Sequence, residues 1–196
     1  MRKIIVAAAF FAAFGAIAGP LGLNKGMTLE ELNKHGSFTP SPRKFVYESK
    51  NLTNGHPDFQ SYTAIVTPAH GLCKIVARSQ NIESSSYGTE IEERFKDLIS
   101  ALTGKYGAPG KQYNFLRQGS IWNEPKYWMM GLLKKERILS AFWWPPENLN
   151  LPDSLRGIHV ETVALSVSHG FIRLDYEFDN ASECLDTLKA NKNSNL

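Results

Sequence analysis

Between residues 87 and 107 six apolar side chains, Ile91, Phe95, Leu98, Ile99, Leu102 and Tyr106, recur at helical spacing and fall on one face of an α-helix. Glu92, Glu93, Lys96, Asp97 and Lys105 mostly take the opposite face. Thr89 and Glu92 have the spacing of a capping box, and Gly104 or Gly107 can end the helix ahead of Pro109. A helix that is apolar on one side only must cover something. The segments before and after it are patterned as strands, so the chain is predicted to be α+β, with helices on one face of antiparallel sheet.

Residues 28–35 open on a second capping box, Thr28 with Glu31, place Leu29 and Leu32 on one side and stop at Gly36. Pro40 and Pro42 predict a loop over 38–43, residues 44–49 a strand, and 51–58 a polar turn region. Residues 61–67 and 71–78 predict a hairpin turning at Pro68, Ala69 and His70, and residues 158–167 and 171–178 a second turning at Ser168, His169 and Gly170. The two hairpins match: His70-Gly71-Leu72-Cys73-Lys74-Ile75 aligns with His169-Gly170-Phe171-Ile172-Arg173-Leu174. Each is preceded, after a loop, by a capped helix, which predicts a twofold repeat with halves 19–86 and 87–190 in one compact unit. The second half carries an insertion with a strand over 112–117, a short helix over 124–134 and a strand over 137–144 stopped by Pro145 and Pro146; residues 147–156 read as a loop. In the last strand Ile172, Leu174, Tyr176 and Phe178 alternate with Arg173, Asp175 and Glu177, so one sheet face is expected buried and the other wet. A helix over 181–190 and a frayed tail over 191–196 finish the chain.

Residues 1–18 have the pattern of a cleaved signal peptide: Arg2 and Lys3, an apolar run over 4–17, and Ala16-Ile17-Ala18 as the cleavage pattern. The run is shorter than the roughly 20 residues a bilayer-spanning helix needs, and no second long run follows, so an exported protein without stable membrane insertion is expected, periplasmic or secreted. Loss of the signal removes two of the 22 basic residues and none of the 19 acidic ones, leaving a formal net charge of +1. A nearly neutral chain carries no electrostatic footprint for nucleic acid or an anionic membrane. The two cysteines, Cys73 and Cys184, are expected to pair in an oxidising compartment. Closing a loop of about 110 residues stabilises by roughly 4–5 kcal/mol on the chain-entropy model.

The five histidines are scattered without metal-ligand spacing, and His70 and His169 sit at turns before glycine. The chain has no G-x-S-x-G elbow, phosphate-cradling loop or Cys-His signature. No catalytic residue, metal or cofactor is therefore predicted. A constellation assembled from distant residues leaves no such pattern, so a periplasmic enzyme or small-ligand carrier with a cleft between the halves stands as the second reading. Nothing in these patterns sets the oligomeric state. The distinctive feature is aromatic density from Tyr113 to Trp144, which includes all four tryptophans. Trp128 and Phe142 are assigned to the core. In Ala141-Phe142-Trp143-Trp144 neighbours point to opposite faces, so one of Trp143 and Trp144 must look outward. Trp122, Tyr127, Trp143 and Trp144 are the expected anchors for a protein partner.

Gly26-Met27-Thr28-x-Glu30-Glu31-Leu32, and the helix ending Lys105-Tyr106-Gly107-x-Pro109, give the chain a family likeness. It resembles exported bacterial modules of the β-lactamase-inhibitor-protein type, to which the small outer-membrane assembly lipoproteins are similar. The likeness covers the helix starts of both halves and the hairpins, about half the chain. It implies helices on an antiparallel sheet, often as a tandem repeat, and action by binding other proteins rather than by catalysis. The chain departs from that pattern in lacking a lipid-anchor cysteine, in having one possible disulfide instead of one per repeat, and in its Trp-rich insertion. No inhibitory residue carries across position by position. The expectation is a non-catalytic, inhibitor-like or envelope-associated binding module using an aromatic sheet face.

Overall fold

The computed structural model describes residues 19–144 and 151–193. The signal-like segment 1–18, residues 145–150 (Pro145, Pro146 and the first part of the loop predicted over 147–156) and residues 194–196 lie outside the described residues; the end of that predicted loop, Leu155 and Arg156, is strand. Among those described, the alternating segments form one antiparallel sheet of nine strands: β1 (Thr39–Pro40), β2 (Val46–Ser49), β3 (Phe59–Thr67), β4 (Gly71–Ser79), β5 (Ile82–Glu83), β6 (Lys111–Leu116), β7 (Arg137–Trp143), β8 (Leu155–Ala164) and β9 (His169–Phe178). The order is β1-β2-β3-β4-β9-β8-β7-β6, and β5 pairs with the start of β9 beyond the end of β4. The described helices are α1 (Leu29–Leu32), α2 (Thr89–Tyr106), α3 (Trp128–Leu133) and α4 (Ala181–Asn193), so the chain is α+β and dominated by its sheet. Strands from the two predicted halves join through β4 and β9, in register from Lys74 opposite Glu177 to Arg78 opposite Arg173.

One sheet face takes the apolar side of every central strand, including Ile75 and Ala77 of β4, Leu174 and Tyr176 of β9 and Trp143 of β7. α2 lies on this face. Its Ile91, Phe95, Ile99 and Leu102 are all buried, each contributing about 1.5–3 kcal/mol of apolar transfer. The short α3 packs beside it over β7 and β8 through Trp128, Met129 and Leu132.

The helix starts show what the capping patterns do. At α1 the expected box forms: the Thr28 amide donates to the Glu31 carboxylate at 2.8 Å and the Glu31 amide to the Thr28 hydroxyl at 3.2 Å. At α2 the cap differs from expectation. Gly88, not Thr89, is the cap residue, in the left-handed region at φ +77, and the Trp128 ring lies where a side chain at Gly88 would sit. Glu90, not Glu92, reaches back, accepting from the Ser85 amide at 2.7 Å and the Ser84 hydroxyl at 3.0 Å. Those bonds, the Ser85 amide foremost, hold the Glu90 carboxyl below its ordinary pKa.

Four further expectations are corrected. Residues 38–43 are not wholly loop, because Thr39 and Pro40 pair with Glu48 and Tyr47 as an edge strand, where a missing N–H costs nothing. The strand predicted from residue 44 starts at Val46, because Phe45 takes φ +65. The tail predicted to fray from residue 191 is still helical, since α4 runs to Asn193.

The fourth is the single helix layer. α4 contacts β3 and β4 from the side opposite α2. Its Ala181, Cys184 and Leu185 share a groove with Thr63, Ile65 and Val76, which point away from the α2 face. Cys184 is disulfide-bonded to Cys73, with Cα atoms 6.4 Å apart, and its sulfur lies 3.3 Å from the Thr67 hydroxyl. No helix of the described residues is long and apolar enough to cross a membrane.

Candidate functional site: the outer face of β6 to β9

Strand alternation sends Tyr113 and Phe115 of β6, Phe142 of β7, His159 and Glu161 of β8, and Arg173 and Asp175 of β9 to the face away from α2. The first four of these rings pack on one another. Phe142 and His159, direct cross-strand neighbours, stack with centroids 4.2 Å apart and planes at 12°. Tyr113 meets Phe142 edge-on at 5.8 Å and Phe115 at 6.1 Å. Two residues beyond Phe142 on the same face, Trp144 is 56% exposed, with the Arg156 guanidinium 5.8 Å from its ring.

Beside the rings runs a ladder of charges. Arg173 donates from both prongs of its guanidinium to Asp175, at 2.8 Å each, and also to Glu161 at 3.1 Å. Lys74 of β4 lies 2.8 Å from Asp175 and 3.1 Å from Glu177, and Arg156 is 3.3 Å from Glu177. Asp175, expected on a wet face, is only 3% exposed. A carboxylate can be buried there because two cations and several N–H donors replace its water. Further along β9, the Arg78 guanidinium sits 4.1 Å over the Phe171 ring. The face therefore offers exposed rings at one side and oriented charges in the middle.

His159 joins the two parts. Burial against Phe142 pushes its pKa down; Glu161 and Asp175 oppose that effect, and Arg173 and Lys74 reinforce it. A histidine harder to protonate in the folded state means that the unfolded chain binds more protons between the two pKa values. The stability His159 lends is therefore full above its ordinary value of 6.5 and falls as pH drops through that value toward the folded one. Glu31, Glu90 and Glu183, whose pKa values are lowered by hydrogen bonds, act in a separate window below 4.5. Chemical denaturation of the native protein between about pH 7.5 and 5.5 is expected to show a loss of stability that His159→Phe, which keeps the stacked ring, removes. An unchanged slope in the variant would mean that another group carries it.

The structure separates the four expected anchors. Trp144 lies on the outer face. Trp143 does not: it is 2% exposed, in the α2-side core, and its indole Nε1–H donates to the Gly107 carbonyl at 2.7 Å, so it cannot reach a partner. Trp122 and Tyr127 pack edge-on to each other at 5.6 Å in the connection between β6 and α3, near Gly131, away from the outer-face row. Phe142, expected in the core, is half-buried on the outer face instead. Parity could have found it, since Phe142 and Trp144 must share a face whenever Trp143 takes the other. The charge ladder had no local signal, because Lys74 meets Asp175 only once β4 and β9 are neighbours.

A second concavity of about 590 Å³ opens between α2 and the ends of β3, β4 and β5, and its lining includes the acidic Asp58, Glu83, Glu90, Glu93 and Asp97 together with Arg94. Among the described residues no group of three or more His, Cys, Asp or Glu side chains is arranged to hold a metal ion. No protein-family model, curated protein or solved structure matches this chain.

Proposed function

We propose that the chain is an exported, non-catalytic protein-binding module that engages its partner through the outer face of β6 to β9. The observation that carries this reading is the row of rings there: Tyr113, Phe115 and Trp144 are 37%, 42% and 56% exposed, on the side opposite α2 and α3. Large amphipathic rings on a rigid sheet beside fixed charges are the ingredients of binding hot spots. Export draws support from the pattern of residues 1–18 and from the disulfide, which belongs to an oxidising compartment such as the periplasm.

Two helix-plus-four-strand repeats underlie this reading. β1 to β4 follow α1 as a meander, β6 to β9 follow α2 as another, and the two meet through their last strands. Gly71 and Gly170 hold the same place in each unit. A side chain on Gly71 would strike the Gly26 backbone just ahead of α1, and one on Gly170 would strike Ile91 in the first turn of α2. The resemblance to duplicated modules of the β-lactamase-inhibitor-protein type points the same way.

The test is capture from an envelope extract by the oxidised protein and by its Phe115→Ser, Trp144→Ser variant. A retained protein whose affinity falls about tenfold or more in the variant supports the proposal, whereas equal retention contradicts it. The cleft between the halves favours a second reading, a small-ligand carrier, and its acidic lining would select a cationic ligand. Stabilisation by such a ligand, unaffected by the outer-face substitutions, would mark that case.

A further inference from the structure

Among the described residues the main strand order ends in two edges, β1 and β6, and the two-residue β5, paired with β9 alone, leaves only a short third one. β1 is two residues long and contains Pro40, which blunts it against pairing with another chain. β6 has six residues and no proline, and Lys111, Gln112, Tyr113, Asn114 and Phe115 are all exposed. Just past its end the Arg117 amide donates to the Glu136 carbonyl at 2.8 Å. Antiparallel alternation then assigns the main-chain groups of Lys111, Tyr113 and Phe115 to β7, and turns the N–H and C=O of Gln112 and Asn114 away from the sheet.

We propose that β6 pairs antiparallel with β6 of a second copy of this chain, about a two-fold axis through Tyr113. The strand is self-complementary in that register. Tyr113 lies opposite Tyr113 of the second copy, Phe115 opposite Lys111 of the second copy, and Gln112 opposite Asn114 of the second copy. Each Gln112–Asn114 pair exchanges two main-chain hydrogen bonds. The pairing sets ring against ring and cation against ring, with no like charges opposed. Two other axes use the same free groups: one through Asn114 sets Lys111 opposite Arg117 of the second copy on both sides of the seam, and one through Gln112 shifts the pairing off the strand, setting Asn114 opposite Gly110 and Phe115 opposite Pro109 of the second copy, which disfavours both. A two-fold axis normal to the sheet also keeps the outer faces of both copies on one side, so their aromatic rows become continuous. This inference stands independently of the protein-binding proposal.

Edge pairing alone makes a small interface, so the dimer is concentration-dependent. Sedimentation equilibrium of the oxidised protein, from micromolar to hundreds of micromolar, is expected to show the mass rising from one chain toward two. Asn114→Pro removes an outward N–H without disturbing the β7 ladder, and is expected to weaken association about tenfold or more with thermal unfolding little changed. The register has its own test, which does not depend on the proline variant. Cysteine at 113 faces its own mate in a non-hydrogen-bonded pair with Cα atoms ~4.5 Å apart, within disulfide reach, so Tyr113→Cys is expected to yield a covalent dimer on oxidation. Gln112→Cys and Phe115→Cys, which face other residue types, are expected to stay uncross-linked. A single-chain mass at every concentration, or cross-linking that does not single out Tyr113→Cys, overturns the proposal.

Discussion

Trp143→Ala is expected to lower the unfolding free energy by about 3–5 kcal/mol, and Trp144→Ala, one residue on, by no more than about 1 kcal/mol. The two side chains differ only in which way the strand turns them. Trp143 is one of the largest fully buried side chains, and it spans from β7 to the end of α2, where its indole N–H closes on the Gly107 carbonyl at 2.7 Å. Alanine there leaves a cavity and strips that carbonyl of its donor at once. Trp144 projects from the outer face over Gly157, with most contacts on one side and water on the other. Urea denaturation followed by far-ultraviolet circular dichroism measures both without relying on indole fluorescence. Equal losses in the two variants would mean that the strand does not separate the pair.

Replacing both Cys73 and Cys184 by serine is expected to cost about 2–5 kcal/mol. The bridge closes 111 residues of sequence separation, nearly the whole span from the first hairpin to the last helix, so it removes much freedom from the unfolded chain. It also holds α4 in place. That helix buries Ala181 and Cys184 but leaves Leu185 41% exposed, and a further tie lies at its start in Asn180, whose side-chain amide donates to the His70 and Leu72 carbonyls at 2.9 and 3.1 Å. Hydrogen exchange under reduction is expected to accelerate over residues 181–191 well before β4 and β9 lose protection. Simultaneous loss of protection everywhere would show that the bridge supports the whole sheet rather than one helix.

What could be read in the sequence follows the range of the forces involved. The one-sided pattern of α2, the alternating hairpins, the Thr28–Glu31 box and the cysteine pair are local signals or simple counts, and each corresponds to a feature of the fold. By itself Pro40 is a breaker, and only its place at a sheet edge makes it a strand residue. β5 is too short to carry a period and exists because β9 outlasts β4. The face taken by α4 depends on where the Cys73–Cys184 bridge draws it, which no periodicity encodes. The outer-face site was half visible. Aromatic density marks β6 and β7, and parity leaves open which of Trp143 and Trp144 looks outward; assigning Phe142 to the core overlooks that the same parity governs it too, so that with Trp143 buried both Phe142 and Trp144 face out. The charges of Arg173, Asp175 and Glu177 were visible as alternation, whereas their pairing with Lys74 is a consequence of strand order.

The central claim concerns which face meets a partner, and site-specific photo-cross-linking tests it most directly. A photoreactive residue placed singly at Phe115 or Trp144 on the outer face, or at Glu93 or Lys96 on the exposed side of α2, samples the two surfaces in the same protein. In envelope extract the account predicts one common protein adduct from the two outer-face positions and none from α2. Adducts formed equally from α2, or only from α2, would contradict it.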